Sequence, residues 1–325
     1  MIMSPIIRSR LGVEVFLTQL GDLYQRELPS RESGLLSAAK YHFRNPGKGF
    51  RAQLALASGV ALRLHSHDIL NWAAACELIH NASLVHDDIS DASTHRRGQK
   101  SIHENFGIDT ALCLGDWMVA KAFELASRNQ VHGGRLVGQL AAAMQQTCVG
   151  QASDVGQDQC ITTNHWKRIA AGKTSPFLLA PIAGVALASN FDHSLESLRN
   201  LVSLCGLVYQ GRNDIDDIVP SSHRSCDLDG RKPNLVISLF NENNSGNEDF
   251  TRWYISRDTS KVSHWQQRIA SSQAIVRANN VLDIWLAEAE LLAPNVPSPL
   301  RGVATQLVAS VNNQKVTETK HGRIA

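Results

Sequence analysis

The stretch HDDISDASTHRRGQK, His86 to Lys100, gathers three carboxylates, Asp87, Asp88 and Asp91, within five residues and follows them with the adjacent guanidinium groups of Arg96 and Arg97. On a helix Asp87 and Asp91 stand four residues apart and share a face, while Asp88 is rotated by about 100°. Carboxylates so crowded repel one another unless a cation joins them. Mg²⁺ suits such a set, because it takes hard oxygen ligands at about 2.1 Å, keeps several waters and binds through one or two carboxylates plus substrate phosphates. A second acidic segment, NDIDD, runs from Asn213 to Asp217 and offers Asp214 and Asp217 at three-residue spacing. A solvated helix end explains either segment alone about as well. Two of them, each closing an apolar helical run, favour a metal and a phosphorylated ligand.

Basic residues supply the complementary half. PGKGFRAQ puts Lys48 and Arg51 three apart at an expected helix start, Arg96 and Arg97 follow the first acidic cluster, and AAGKTSP carries Lys173 beside Thr174. The planar fork of arginine matches phosphate oxygens bidentately and lysine acts as a compact point charge, so a mixture suits a diphosphate. Each cation taken singly is more often a solvated surface charge. GKGFR is no P-loop, since it lacks the long glycine-framed loop before the lysine.

The elements that must position these groups read as helices. Stretches 69–86, 109–128, 135–153, 164–189 and 195–218 carry apolar residues at three- and four-residue spacing, and alternating strand patterns are scarce. Breaks fall at Asn45-Pro46-Gly47, Gly133-Gly134, Val219 to Lys232 and Asn241 to Asp249. The expected fold is all-α, one domain over residues 1–325, with the polar segment 241–263 as an excursion between helices. Its two acidic helix ends would face one another across a cavity, as carboxylates do in other bundles.

The chain of 325 residues carries a formal charge of +2 and a pI near 8.2, too balanced for a nucleic-acid binder recognised by bulk charge. Its six cysteines lack the paired short spacings of a zinc site and read as reduced, mostly buried thiols. The N-terminus resembles neither a signal nor a transit peptide. No uninterrupted apolar run reaches the roughly eighteen residues of a membrane helix, so no transmembrane segment is expected and a cytoplasmic location is the default.

Taken in order, GKGFR, ELIHNASLVHDDISDASTHRRGQ, LGDWMVAKAF, GKTSPFL, YQGRNDIDD and DLDGRKPNL resemble the all-trans isoprenyl diphosphate synthases of the polyprenyl synthetase family over about residues 40 to 240. The resemblance implies a bundle of long helices around a deep central cavity, usually a homodimer. The implied enzyme is a trans-prenyltransferase that condenses isopentenyl diphosphate with an allylic diphosphate. By the same resemblance Asp87, Asp88 and Asp91 bind Mg²⁺ that bridges the allylic diphosphate, and Asp214 and Asp217 hold a further ion. Arg96, Lys173 and Lys232 contact the allylic diphosphate; Lys48, Arg51, His80 and Arg97 hold the isopentenyl diphosphate; Gln210 and Thr174 stand near the reacting carbons. Charge developing on the departing diphosphate is neutralised, the allylic cation is attacked by the isopentenyl double bond, and a proton is lost to the diphosphate.

Two positions depart from the family pattern. The second acidic segment begins with Asn213 where aspartate is usual, which should weaken its cation, and PNL at 233–235 stands where serine or threonine more often follows the lysine. Asn213 keeps open a terpene cyclase, which would ionise one prenyl diphosphate without coupling. Retention of Lys48, Arg51, His80 and Arg97 favours coupling. A regulatory subunit of a heteromeric synthase would be expected to lose the first acidic cluster, which is whole here. A His-Asp phosphohydrolase site built on His86-Asp87 with His42 or His80 and Asp214 would leave Arg96, Arg97, GKGFR and GKTSP unexplained.

Product length is expected to be set where the growing chain meets side chains one turn before Asp87, roughly 6–7.5 Å along the axis. Those are Ser83 and Ala82, both small, where farnesyl-forming relatives usually carry an aromatic. Val119 and Ala120 would form a deeper floor, with Trp117 and Met118 turned elsewhere and Trp117 and Phe123 serving as core. The expected product is geranylgeranyl diphosphate, with longer chains as the rival. Lys320 and Arg323 make the C-terminal end basic, without an assigned role.

Overall fold

The computed structural model describes residues 5–155, 161–191, 195–219, 224–243 and 248–317. In chain order its helices are α1 (Pro5–Glu27), α2 (Leu36–Phe43), α3 (Phe50–Ala61), α4 (Ser66–Ser90), α5 (Ile102–Phe106), α6 (Ile108–Ser127), α7 (Gly133–Val155), α8 (Thr163–Ala188), α9 (Glu196–Ile218), α10 (Cys226–Gly230), α11 (Leu235–Asn243), α12 (Glu248–Ser256), α13 (Val262–Ala270), α14 (Ala274–Leu292) and α15 (Ser298–Thr317). The fold is all-α, and the five helices read from periodicity are present as α4 and α6 to α9, each end within four residues of its expected place. The chain divides into two compact units, Met1–Met144 with Leu179–Ser194 and Val316–Ala325, and Gln145–Leu178 with Leu195–Lys315; three of the four boundaries fall inside α7, α8 and α15. Lys320, Arg323 and Cys160 lie outside the described residues.

In the first unit α4 is the central helix. Every residue from Asn71 to Ile79 is buried, so this half of α4 is enclosed on all sides, and α3 and α6 pack against it. The Trp72 indole N–H donates to the Pro181 carbonyl at 2.9 Å, and its ring lies where a Cβ on Gly184 would sit at 1.9 Å. Glycine there lets the C-terminal half of α8 lie flush on α4. That helix is long and apolar enough to cross a membrane, but 72% of its apolar window is buried, as in a core helix.

In the second unit α9 packs on α14 and α11. The segment 241–263 is not a polar excursion, because it contains α12 and the first two residues of α13. Phe250, Trp253 and Tyr254, at i, i+3 and i+4 among polar neighbours, bury one face of α12; Phe250 packs edge-on to Phe240 and Trp265, and Trp253 stacks on Trp265 at 5.6 Å. The cysteine expectation is corrected as well: Cys76 and Cys205 are buried, but Cys113, Cys148 and Cys226 are exposed, and all five are unpaired.

One small strand feature escaped the helical reading. His95–Arg96 and Gln99–Lys100 pair antiparallel as β1 and β2, with His95 opposite Lys100 and Arg96 opposite Gln99. The two-residue connection, Arg97 (φ 53°) and Gly98 (φ 74°), has positive φ at both positions, as a tight primed hairpin turn requires. This ribbon aims the two neighbouring arginines at different partners.

Candidate active site

In the first unit α4 ends at Ser90, with Asp91 as its C-cap, so Asp87, Asp88 and Asp91 all stand on the last turn. Asp88 is 3% exposed, and its carboxylate accepts the Arg96 guanidinium through Nε (3.0 and 3.2 Å) and through Nη2. Burial works against the Arg96 charge, but the hydrogen bonds and charge of Asp88 outweigh it and raise the guanidinium pKa. Asp88 is therefore an arginine holder. Asp87 and Asp91 remain half-buried on the turn around it.

Arg97 turns the other way. Its Nη1 donates to the Asn45 carbonyl at 2.9 Å and to Asn81 Oδ1 at 3.3 Å, and its guanidinium lies 2.7 Å from the place a Cβ on Gly47 would occupy. Gly47 (φ 82°) and Gly49 (φ 61°, the N-cap of α3) thus explain the glycines of PGKGFR: one makes room for an arginine, the other bends the chain into the helix. The α3 N-terminus is completed by buried Glu77, whose Oε2 accepts the N–H groups of Arg51 and Ala52 at 3.1 Å each. Lys48 is exposed and Arg51 half-buried beside it in sequence.

His42 is buried and donates from Nε2 to Asn81 Oδ1 at 2.9 Å; the Asn81 amide donates to the Glu77 carbonyl at 2.7 Å, which fixes its orientation. Burial pushes His42 down to about 4. Burial and then the charges of Arg51 and Arg97 push His80 well below its ordinary 6.5, so both imidazoles are neutral near pH 7. His42 is thus hydrogen-bonded to an amide, as a packed histidine is, and His86 packs over Gly115 with Nε2 3.6 Å from Asp116. Lower on α4, Ser83 is half-buried and Ala82 fully buried. On α6 Met118 is fully buried, Trp117, Val119 and Phe123 are half-buried, and Ala120 is exposed.

In the second unit Asp214 and Asp217 close α9, but their surroundings differ from those of the first cluster. Asp214 is 1% exposed; Oδ2 accepts the Trp166 indole N–H at 2.6 Å and the Leu235 N–H at 2.7 Å, and Oδ1 accepts Gln210 Nε2 at 2.8 Å. Trp166 is itself fixed by stacking on Trp285 at 5.9 Å. Asp217 accepts the Cys226 N–H on Oδ1 at 2.9 Å, and the Ser225 hydroxyl and Asp227 N–H on Oδ2. Burial, then the charges of Asp217 and Asp214, push the Asp227 carboxyl well above the usual range. Asn213 is exposed. Lys173 and buried Thr174 lie where α7 and α8 approach closely: a Cβ on Gly150 would meet Lys173 N at 2.6 Å.

Among the described residues no three or more His, Cys, Asp or Glu are already gathered to hold a metal ion. Asp87 and Asp91, four apart on one turn, nevertheless suit Mg²⁺ as the one or two carboxylates that complete a phosphate-borne ion. In Asp214 and Asp217 Oδ2 already accepts two protein donors and Oδ1 one, so Oδ1 is the oxygen each could offer a cation. Several residues that organise these sites had drawn no assignment from sequence: Asn81, Glu77, Trp166, Ser225, Asp227 and Asn234. Ser225 could have been found as the N-cap of α10, where its Oγ accepts the Leu228 N–H at 3.0 Å. Nothing in sequence pointed to Trp166.

The carboxylates that close α4 and α9, and the arginines beside the first of them, all stand within one recognised family span. The polyprenyl synthetase pattern matches residues 32–271, and the chain belongs to that family. It is 30% identical over 250 residues to a geranylgeranyl pyrophosphate synthase of Geoglobus acetivorans, covering 74% of this chain and 77% of that one. It is also 30% identical over 212 residues to a farnesyl diphosphate synthase of Micrococcus luteus, covering 62% and 73%. The crystal structure of a geranylgeranyl pyrophosphate synthase from Lactobacillus brevis superposes with a TM-score of 0.80 at 21% identity, covering 94% of this chain and 98% of that one. The protein is a trans-prenyltransferase of the isoprenyl diphosphate synthase kind.

Proposed function

We propose that the protein condenses isopentenyl diphosphate with an allylic prenyl diphosphate in a Mg²⁺-dependent reaction, and that its main product is geranylgeranyl diphosphate. The observation that carries this reading is the division of labour at the end of α4: Asp88 holds Arg96, Asn45 and Asn81 hold Arg97, and Asp87 and Asp91 flank Asp88 on the same turn. Mg²⁺ held by Asp87 and Asp91 would neutralise the departing diphosphate. Arg96, Lys173 and Lys232 bind the allylic diphosphate and orient its C–O bond for ionisation. Lys48, Arg51 and Arg97 bind the isopentenyl diphosphate, with neutral His80 as a hydrogen-bond partner that adds no charge. Gln210 and Thr174 flank the reacting carbons. The leaving diphosphate takes the proton lost after coupling, so no side chain serves as nucleophile.

The relatives make products of different length, and the geranylgeranyl assignment rests on small residues, Ser83 and Ala82, ahead of Asp87. A homodimer in the cytoplasm belongs to the same reading; exposed Ile108 and Leu112, one turn apart on α6, support self-association. Incubation with Mg²⁺, isopentenyl diphosphate and each allylic diphosphate in turn should give chain-lengthened linear diphosphates. Cyclic hydrocarbon formed without isopentenyl diphosphate would instead show a cyclase. Ser83→Phe should shorten the main product; unchanged product lengths would place the wall elsewhere. Ser83 is the better site, because a phenylalanine at fully buried Ala82 would overpack the core at a cost of about 1–3 kcal/mol.

A further inference from the structure

We propose that Asn234 is the positioning residue of the second acidic segment: it fixes Asp214 and Asp227, and through Asp227 the chain at Lys232, by hydrogen bonds alone. The inference rests on the prenyltransferase reading for what Lys232 does, and on the following geometry for the rest. Asn234 is 1% exposed and immediately precedes α11. Its Oδ1 accepts the N–H groups of Val236 (2.9 Å) and Ile237 (3.2 Å), which caps the helix. Its Nδ2 donates to the Asp214 carbonyl at 3.1 Å and to Asp227 Oδ2 at 2.9 Å. The amide orientation is not open to a flip, since one end faces two donors and the other two acceptors. Every donor and both lone pairs are used.

This position needs an acceptor on one side and two donors on the other, so a hydroxyl makes the instructive comparison. A hydroxyl there could cap α11 but has one proton to give, so it could reach only one of the two acceptors. Asparagine joins both. Asp227 in turn accepts the Lys232 N–H on its backbone carbonyl at 2.9 Å, so the bridge runs on to the lysine. The α11 cap, the end of α9 and the segment DLDGRK of α10 and its exit are thus one hydrogen-bonded joint, in which Asp214 and Asp217 accept from neutral donors.

The test uses the full-length protein, with Asn234→Thr, Asn234→Asp and the double variant Asn234→Asp with Asp227→Asn. Aspartate keeps the capping acceptor but turns an acceptor toward Asp227 and the Asp214 carbonyl. It should raise KM for the allylic diphosphate by roughly tenfold or more, the scale of a lost hydrogen bond to a charged group, while KM for isopentenyl diphosphate stays within about twofold. Calorimetric binding of inorganic diphosphate with Mg²⁺ should weaken in parallel. Threonine should fall between wild type and aspartate, and the double variant, which restores an amide-to-carboxylate bond, should recover most of the loss. Unchanged constants in Asn234→Asp, or equal changes in both KM values tracking a lower Tm without recovery in the double variant, would overturn the proposal. If wild type elongates no chain, the prenyltransferase reading fails on its own, and diphosphate binding across the same variants still decides the role of Asn234.

Discussion

The two acidic helix ends look alike in sequence and are built in opposite ways. At the end of α4 the buried carboxylate, Asp88, is answered by a full positive charge, Arg96, and its neighbours Asp87 and Asp91 stay half-buried. At the end of α9 the carboxylates of Asp214 and Asp217 are answered by neutral donors: an indole, an amide, a hydroxyl and backbone N–H groups. Asn213, which leads the second motif, is its one exposed residue. Oδ2 of Asp214 and Oδ2 of Asp217 each already accept two protein donors, so a cation at this end would have to use Oδ1 or displace a donor. The first end meets its buried carboxylate with charge, the second with neutral hydrogen bonds.

The largest expected effect separates the two ends. Asp87→Asn should lower kcat/KM by about 10²–10³-fold, the scale of losing one preorganised charge-stabilising group, with little change in unfolding free energy. Asp214→Asn should reverse the pattern, destabilising the fold by about 1–3 kcal/mol by setting an amide donor against Trp166, Leu235 N–H or Gln210. Paired kinetics and urea unfolding would read both; equal kinetic losses would erase the distinction.

A pH test probes the first end. His42 sits at about 4 in the fold against 6.5 for an ordinary histidine, so the unfolded chain takes up the proton first. Its contribution is whole above about pH 6.5 and is lost as pH falls toward 4, by of order 3 kcal/mol. His42→Gln should flatten that part of the urea-midpoint profile; an unchanged profile would exclude His42 as its source. Arg96→Met should cost of order 2–3 kcal/mol, below the roughly 3–5 for a fully buried pair because the guanidinium side chain is 35% exposed. The smallest effect sharpens the contrast. Asn213→Asp gives the second end its first exposed carboxylate in the leading position and should lower the Mg²⁺ concentration for half-maximal activity by roughly fivefold, about 1 kcal/mol for one added charge pair in water-like surroundings.

The fold is largely legible in the sequence, because long helices leave a strong 3.6-residue pattern, as α4 and α6 to α9 do. The acidic ends and the start of α3 at Phe50 were legible for the same reason, apolar runs closed by acids or opened by glycine. What stayed hidden was short or nonlocal. The Arg97-Gly98 turn is two residues long, and α12 shows its aromatic face only over nine residues among charged neighbours. The difference between Asp88 and Asp214 depends on partners that sequence cannot bring together: Trp166 stands 48 residues from Asp214, and Leu235 stands 21 away.

The most direct measurement is a crystal structure with Mg²⁺ and a non-ionisable thio analogue of an allylic diphosphate. We expect an Asp87 oxygen about 2.1 Å from an ion that also binds the diphosphate, with Asp214 Oδ2 still accepting from Trp166 Nε1 and the Leu235 N–H. An Asp214 carboxylate turned away from both donors and ligating an ion, or an Asp87 that touches none, would contradict the account.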